Sequence, residues 1–116
     1  MTTTNSQQNQ TATTKTYDLH AEDAVIGILL YEPVLIADVM GILDADMFSE
    51  HHRSLAYNLV LQDYQAGRVG DVSDIYASMP DTWDAQKCIE LFFDVANGDV
   101  KVSDLLSYAQ RVNVTK

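Results

Sequence analysis

Basic residues are scarce in this chain. Seven lysines and arginines stand against 17 aspartates and glutamates, a formal net charge of −10 at pH 7. Sequence-independent nucleic-acid binding relies on Lys and Arg neutralising phosphates, and anionic membrane surfaces demand the same. Both would repel this chain. A single cysteine excludes an internal disulfide framework and suits a reducing cytoplasm. No apolar run reaches the ~20 residues of a membrane-spanning helix, and the first residues lack the charged-then-apolar order of a secretory signal. The five glycines, at 27, 41, 67, 70 and 98, never precede a lysine, so the glycine cradle and lysine of a P-loop are missing. What remains is 116 residues, 47% hydrophobic, enough for one domain with a core of its own. The composition describes an acidic cytoplasmic domain whose partner is protein.

Residues 1–16 differ in kind from the rest. Seven of them are Thr, Lys15 is the one charged side chain, and the others are mainly Asn, Gln and Ser. Such a stretch cannot bury enough apolar surface to offset the entropy of ordering, and reads as a disordered leader. The remaining 17–116 carries 17 acids and six bases and reads as one helical domain. Asp18 is placed to cap a first helix, with Glu22 in its first turn. Val25, Ile26, Ile28, Leu29 and Leu30 cover more than one face, as expected of a helix at the centre of a core. Gly27 among them costs about 1 kcal/mol against Ala, and its return is close approach of a neighbouring helix. Glu32-Pro33 stops this helix and starts a second, whose stripe is Leu35, Val39, Ile42 and Leu43. Met47 and Phe48 are expected to tuck into the core.

Ser49 is placed to cap a third helix through Leu55, Ala56, Leu59 and Val60, ending near Gly67. Asp71 and Asp74 open a short fourth, with Val72, Ile75, Tyr76 and Met79 inward, which Pro80 ends. Asp81 opens a fifth with Ala85, Cys88, Ile89, Phe92, Val95 and Ala96 on its apolar face, stopping at Asn97-Gly98. Ser103 caps a last helix with Leu105, Tyr108, Ala109 and Val112 at helical spacing. No segment sustains a period of two. The expected fold is all-α, a compact bundle of about six helices.

Catalytic and metal-binding readings fail on inventory. Cys88 lies on an apolar helix face and reads as core, not nucleophile. His51 and His52, being adjacent, point about 100° apart on a helix and cannot share one ion; an exposed pair with one ring packed inward is the plainer account. Asp44, Asp46 and Glu50 lack the glycine and oxygen spacing of a calcium loop and read as helix-start carboxylates. The aromatic residues have no basic groove beside them for stacking bases. No cofactor and no metal site is expected.

One resemblance runs through most of the chain. Leu19-His20-Ala21-Glu22-Asp23-Ala24-Val25-Ile26-Gly27 and the apolar run after it resemble the opening of the N-terminal domain of DnaB-type replicative helicases. The likeness continues through Asp46-Met47-Phe48, His52-Arg53, Tyr64-Gln65-Ala66-Gly67 and Val69-Gly70-Asp71, to Tyr108-Ala109-Gln110-Arg111-Val112. It covers roughly residues 17–112 and departs between Met79 and Val102. There the family has a Gly-Gly turn and a Thr-Pro-Ser-Ala-Ala-Asn stretch, while this chain has Pro80-Asp81-Thr82-Trp83 and Asn97-Gly98-Asp99.

The resemblance implies a non-catalytic domain of a helicase collar, one that pairs with copies of itself and engages DnaG-type primase. The family's motor lies downstream, so the chain reads either as part of a helicase or as a free-standing phage or mobile-element relative that binds a host helicase, primase or loader. A helical hairpin follows the globular head in the family, and the Tyr108 helix corresponds to its first arm. A protein interface is therefore expected on Leu105, Leu106, Tyr108, Ala109 and Val112, alongside some core. A small acidic enzyme with an unrecognised pocket is the remaining alternative.

Overall fold

In the computed structural model, which describes residues 18–68, 72–79 and 82–114, every regular element is helical. The α-helices are α1 (Leu19–Tyr31), α2 (His51–Gln65), α3 (Val72–Ala77), α4 (Thr82–Ala96) and α5 (Leu105–Val114), with 3-10 turns at Pro33–Asp38, Ala45–Met47 and Val102–Asp104. The polar leader, and the expected boundary residues 69–71 and 80–81, lie outside the described residues.

The middle of the molecule is α1. Asp18 Oδ1 accepts the Ala21 N–H at 3.0 Å, the cap expected of it. From Ala24 to Leu30 every residue is buried, because α2, α4 and α5 all pack against this helix. A helix apolar around its whole circumference requires such enclosure. Gly27 is where α4 comes closest: a Cβ built there would lie 2.6 Å from the Leu91 carbonyl oxygen. The glycine thus has the role its position in the apolar run implies. The stretch where the sequence departs from the familiar pattern includes α4, and α4 nonetheless docks on the central helix.

The second helix differs from expectation. Pro33–Asp38 is a 3-10 helix, followed by turns in which Met40 N–H bonds Ile36 C=O at 2.8 Å and Leu43 N–H bonds Val39 C=O at 2.9 Å. The buried residues are Pro33, Ile36, Val39 and Leu43. The first three recur every third residue, and three residues per turn is the 3-10 period. Met47 and Phe48 are in the core, as expected. Tyr57 anchors this connection to α2: it is fully buried, its ring lies 5.2 Å from that of Phe48, and its hydroxyl donates to the Leu43 carbonyl at 2.8 Å.

Two helices end as their glycines dictate. Gly67 (φ 79°) and Gly98 (φ 85°) are left-handed, and each sits in a Schellman motif. Gly67 N–H bonds Tyr64 C=O and Arg68 N–H bonds Asp63 C=O; Gly98 N–H bonds Val95 C=O and Asp99 N–H bonds Asp94 C=O. At the other end of the chain, α5 runs back along α1. Arg111 donates from Nε to Asp18 Oδ2 at 2.9 Å and from NH2 to Oδ1 at 3.3 Å, and the Tyr108 ring meets His20 edge-on at 5.7 Å. The same carboxylate caps α1 and clasps α5.

Candidate functional site

Two surfaces stand out, one on α5 and one where α1, α2 and α4 meet. On α5 the five residues singled out from the sequence divide by helical phase. Leu105, Ala109 and Val112 are buried in the core of the domain. Leu106, one step of about 100° away, is 51% exposed, and Tyr108 is half-buried beneath Arg111, whose guanidinium carbon lies 5.3 Å from the ring centroid. Val114 beyond them is exposed. An isolated exposed leucine is ordinary. Tyr108 stands about 200° around α5 from Leu106, so the two flank the buried stripe on opposite sides.

The second surface is polar and was not legible as a unit in the sequence. Glu22 is fully buried on α1. Its Oε1 accepts the backbone N–H of Ser49 at 2.8 Å and the Ser49 hydroxyl at 3.0 Å. Ser49 therefore does not cap α2 as expected: Glu50 holds the N-cap position without a side-chain bond, and the serine hydroxyl is spent on Glu22. Nor does Ser103 cap α5; it lies within the 3-10 turn that leads into that helix.

Arg53, from the first turn of α2, is nearly buried and reaches back to α1. Its Nε donates to Asp23 Oδ1 at 2.6 Å, and NH1 lies 3.7 Å from Glu22 and 3.6 Å from Glu50. Three carboxylates thus offset one buried guanidinium, the compensation a buried charge demands.

His52 and His51 separate as the adjacent-pair geometry requires. His51 is exposed and faces the buried Asp84 across 3.5 Å. His52 is 95% buried, with its ring edge-on to Trp83 at 5.5 Å. Its pKa is held below the usual histidine value, chiefly by burial and then by neighbouring Arg53, so the ring is neutral at physiological pH and keeps one acceptor nitrogen. Nδ1 has no hydrogen-bond partner; Glu50 Oε2 stands 3.6 Å away. Beside these residues a pocket of about 310 Å³ opens between the start of α2 and α4, with Trp83 and Lys87 on its α4 wall.

Cys88 lies behind, fully buried, with its thiol 3.8 Å from the His52 carbonyl. Burial pushes that thiol up to about 12, which leaves no nucleophilic thiolate at neutral pH. A second concavity, lined by Tyr76, Ile89, Phe92 and Phe93, is almost wholly apolar. Among the described residues no group of three His, Cys, Asp or Glu side chains converges on a metal position, and no helix is long and apolar enough to cross a membrane.

Comparison with known proteins gives one finding. Residues 14–113 match the family model described as DnaB-like helicase N terminal domain. No curated protein and no solved structure matches the chain.

Proposed function

From the chain's membership of the DnaB-like helicase N-terminal domain family, we propose that it is a protein-interaction module of DNA replication that self-associates and binds a DnaG-type primase. The family's domain is non-catalytic, and the match spans nearly the whole of this chain. That match is the observation that carries the reading. The surface assigned to association is the solvent-facing side of α5 at Leu106, with Tyr108 at the opposite margin of the helix, while Leu105, Ala109 and Val112 hold that helix to the core. The surplus of acid over base favours a protein partner over nucleic acid, since like charge repels the phosphate backbone.

Sedimentation equilibrium across a concentration series, with and without purified DnaG-type primase, tests this. Association is expected to be weak for the isolated chain and to fall at least about tenfold in Leu106→Glu, the scale of losing an interface anchor. The variant's circular dichroism should remain helical. Unaltered association in a folded variant removes α5 from the interface. A chain that stays monomeric and ignores primase overturns the reading; capture of intact helicase or its loader instead would mark a free-standing regulator.

A further inference from the structure

The pocket between α2 and α4 is unconnected with the α5 surface, and its chemistry points in one direction. At about 310 Å³ it lies at the small end of the roughly 300–1,000 Å³ typical of ligand sites. That is room for one side chain or a small molecule, not for a helix. Its rim carries three carboxylates, Asp23, Glu50 and Glu90, against two bases, Arg53 and Lys87. The charge of Arg53 is already met by Asp23, Glu50 and the buried Glu22, so it adds little attraction for an anion.

One acceptor remains under-used. Glu50 is half exposed and stands 3.6 Å from both Arg53 and His52, just beyond hydrogen-bond reach of each. His52 Nδ1, on a side chain 95% buried, makes no hydrogen bond; it is closed to solvent and faces the Glu50 carboxylate, which draws Glu50 to the pocket's inner wall. The α4 wall is a half-exposed indole, and the Lys87 ammonium lies 5.5 Å from the ring centroid. A cation over an indole face is a favourable arrangement, and guanidinium is the commoner occupant. Lys87 is thus an internal cation on the face that an incoming one would cover.

We infer that this pocket binds a single alkylguanidinium group, stacked on Trp83 and hydrogen-bonded to Glu50, with Lys87 as its intramolecular competitor. The group is the side chain of a partner protein's arginine or a free small guanidine. The acidic field of the whole chain raises the local concentration of either.

Trp83 is the chain's one tryptophan, so its fluorescence reports on the pocket directly. The full chain is titrated with ethylguanidinium, with a short peptide containing one arginine, with the same peptide carrying citrulline, and with sodium sulfate. Saturable change is expected with both guanidinium compounds and not with citrulline or sulfate. Tighter binding of the peptide assigns the site to a protein side chain; equal binding assigns it to a free guanidine. Lys87→Gln is expected to tighten binding about two- to fivefold by removing the competitor, and Glu50→Gln to weaken it by a similar factor. Both residues are at least partly exposed, so the folded domain is retained. Saturation by sulfate that Lys87→Gln abolishes would make this an anion site and overturn the proposal. Equal binding of citrulline, or no saturation by either guanidinium compound, overturns it as well.

Discussion

An alanine at position 27 probes the closest contact in the fold. Its Cβ would lie 2.6 Å from the Leu91 carbonyl oxygen, 3.2 Å from the Leu91 carbonyl carbon and 3.1 Å from a Val95 methyl. Ordinary contact begins at 3.4 Å, so α1 and α4 must separate locally by the difference, 0.8 Å. The obstacle is backbone, and no rotamer change relieves it. A gap of roughly 0.5–1 Å forfeits a quarter to a half of the dispersion attraction across it. The side chains that lose contact are Leu91 and Val95, both buried, together with the α1 residues against them. Overpacked cores lose about 1–3 kcal/mol, and alanine returns about 1 kcal/mol of helix propensity. The net loss should be up to about 2 kcal/mol, a fall in Tm of up to about 15 °C for a domain near 100 residues.

The control is Gly41→Ala, where nothing lies within 4 Å of the added carbon; it should be neutral or slightly stabilising. Thermal and urea unfolding followed by circular dichroism measure both variants side by side. A raised midpoint for Gly27→Ala would refute the claim that the glycine sets the α1–α4 distance.

Three further outcomes follow from the polar contacts. Glu22→Ala strands the Ser49 N–H and removes one of three carboxylates facing Arg53; urea denaturation should show a loss of about 2–4 kcal/mol, and a loss below about 0.5 kcal/mol would make the cluster incidental. Asp18 is held below its ordinary 3.8 by the Arg111 hydrogen bond first and the Ala21 N–H second. A depressed carboxyl pKa stabilises the fold above the unfolded value, about 3.9, and that contribution is lost as pH falls through the folded one. Asp18→Asn should therefore melt earlier than the parent chain at pH 7, with the difference closing below about pH 4; a constant gap across pH would refute the clasp. Cys88, buried with its thiol pushed up to about 12, should resist a thiol reagent in the native state and react once denaturant is added. Prompt labelling of the folded domain would show that α4 opens locally.

Local pattern in the sequence determined the helices and most of their limits. Asp18 as a cap, Gly67 and Gly98 as stops, and the all-round apolar run of α1 each depend on residues a few positions apart, which is the range over which helix periodicity and capping act. The inward placement of Cys88, the inward packing of one ring of the His51-His52 pair, and a close approach at Gly27 were legible for the same reason; that the inward ring is His52 was not. The 3-10 form of Pro33–Asp38 was visible only in hindsight, in the three-residue spacing of Pro33, Ile36 and Val39.

Tertiary structure alone decided where the polar groups go. Glu22 reads as a first-turn acid, and it is enclosed and holds Ser49, 27 residues away, while Arg53 crosses 30 residues to Asp23. Those pairings exist because α1 is surrounded, and a charge that loses water must take whatever donors the neighbouring helices bring to it. The same enclosure turned one face of α5 inward at Leu105, Ala109 and Val112 and left Leu106 in solvent. It also set His52, Glu50 and Trp83 around one pocket from helices whose first residues, His51 and Thr82, are 31 apart in sequence. Periodicity can say that a helix has an apolar stripe; which side chains beside it meet another helix, and which meet water, depends on the packing of the whole.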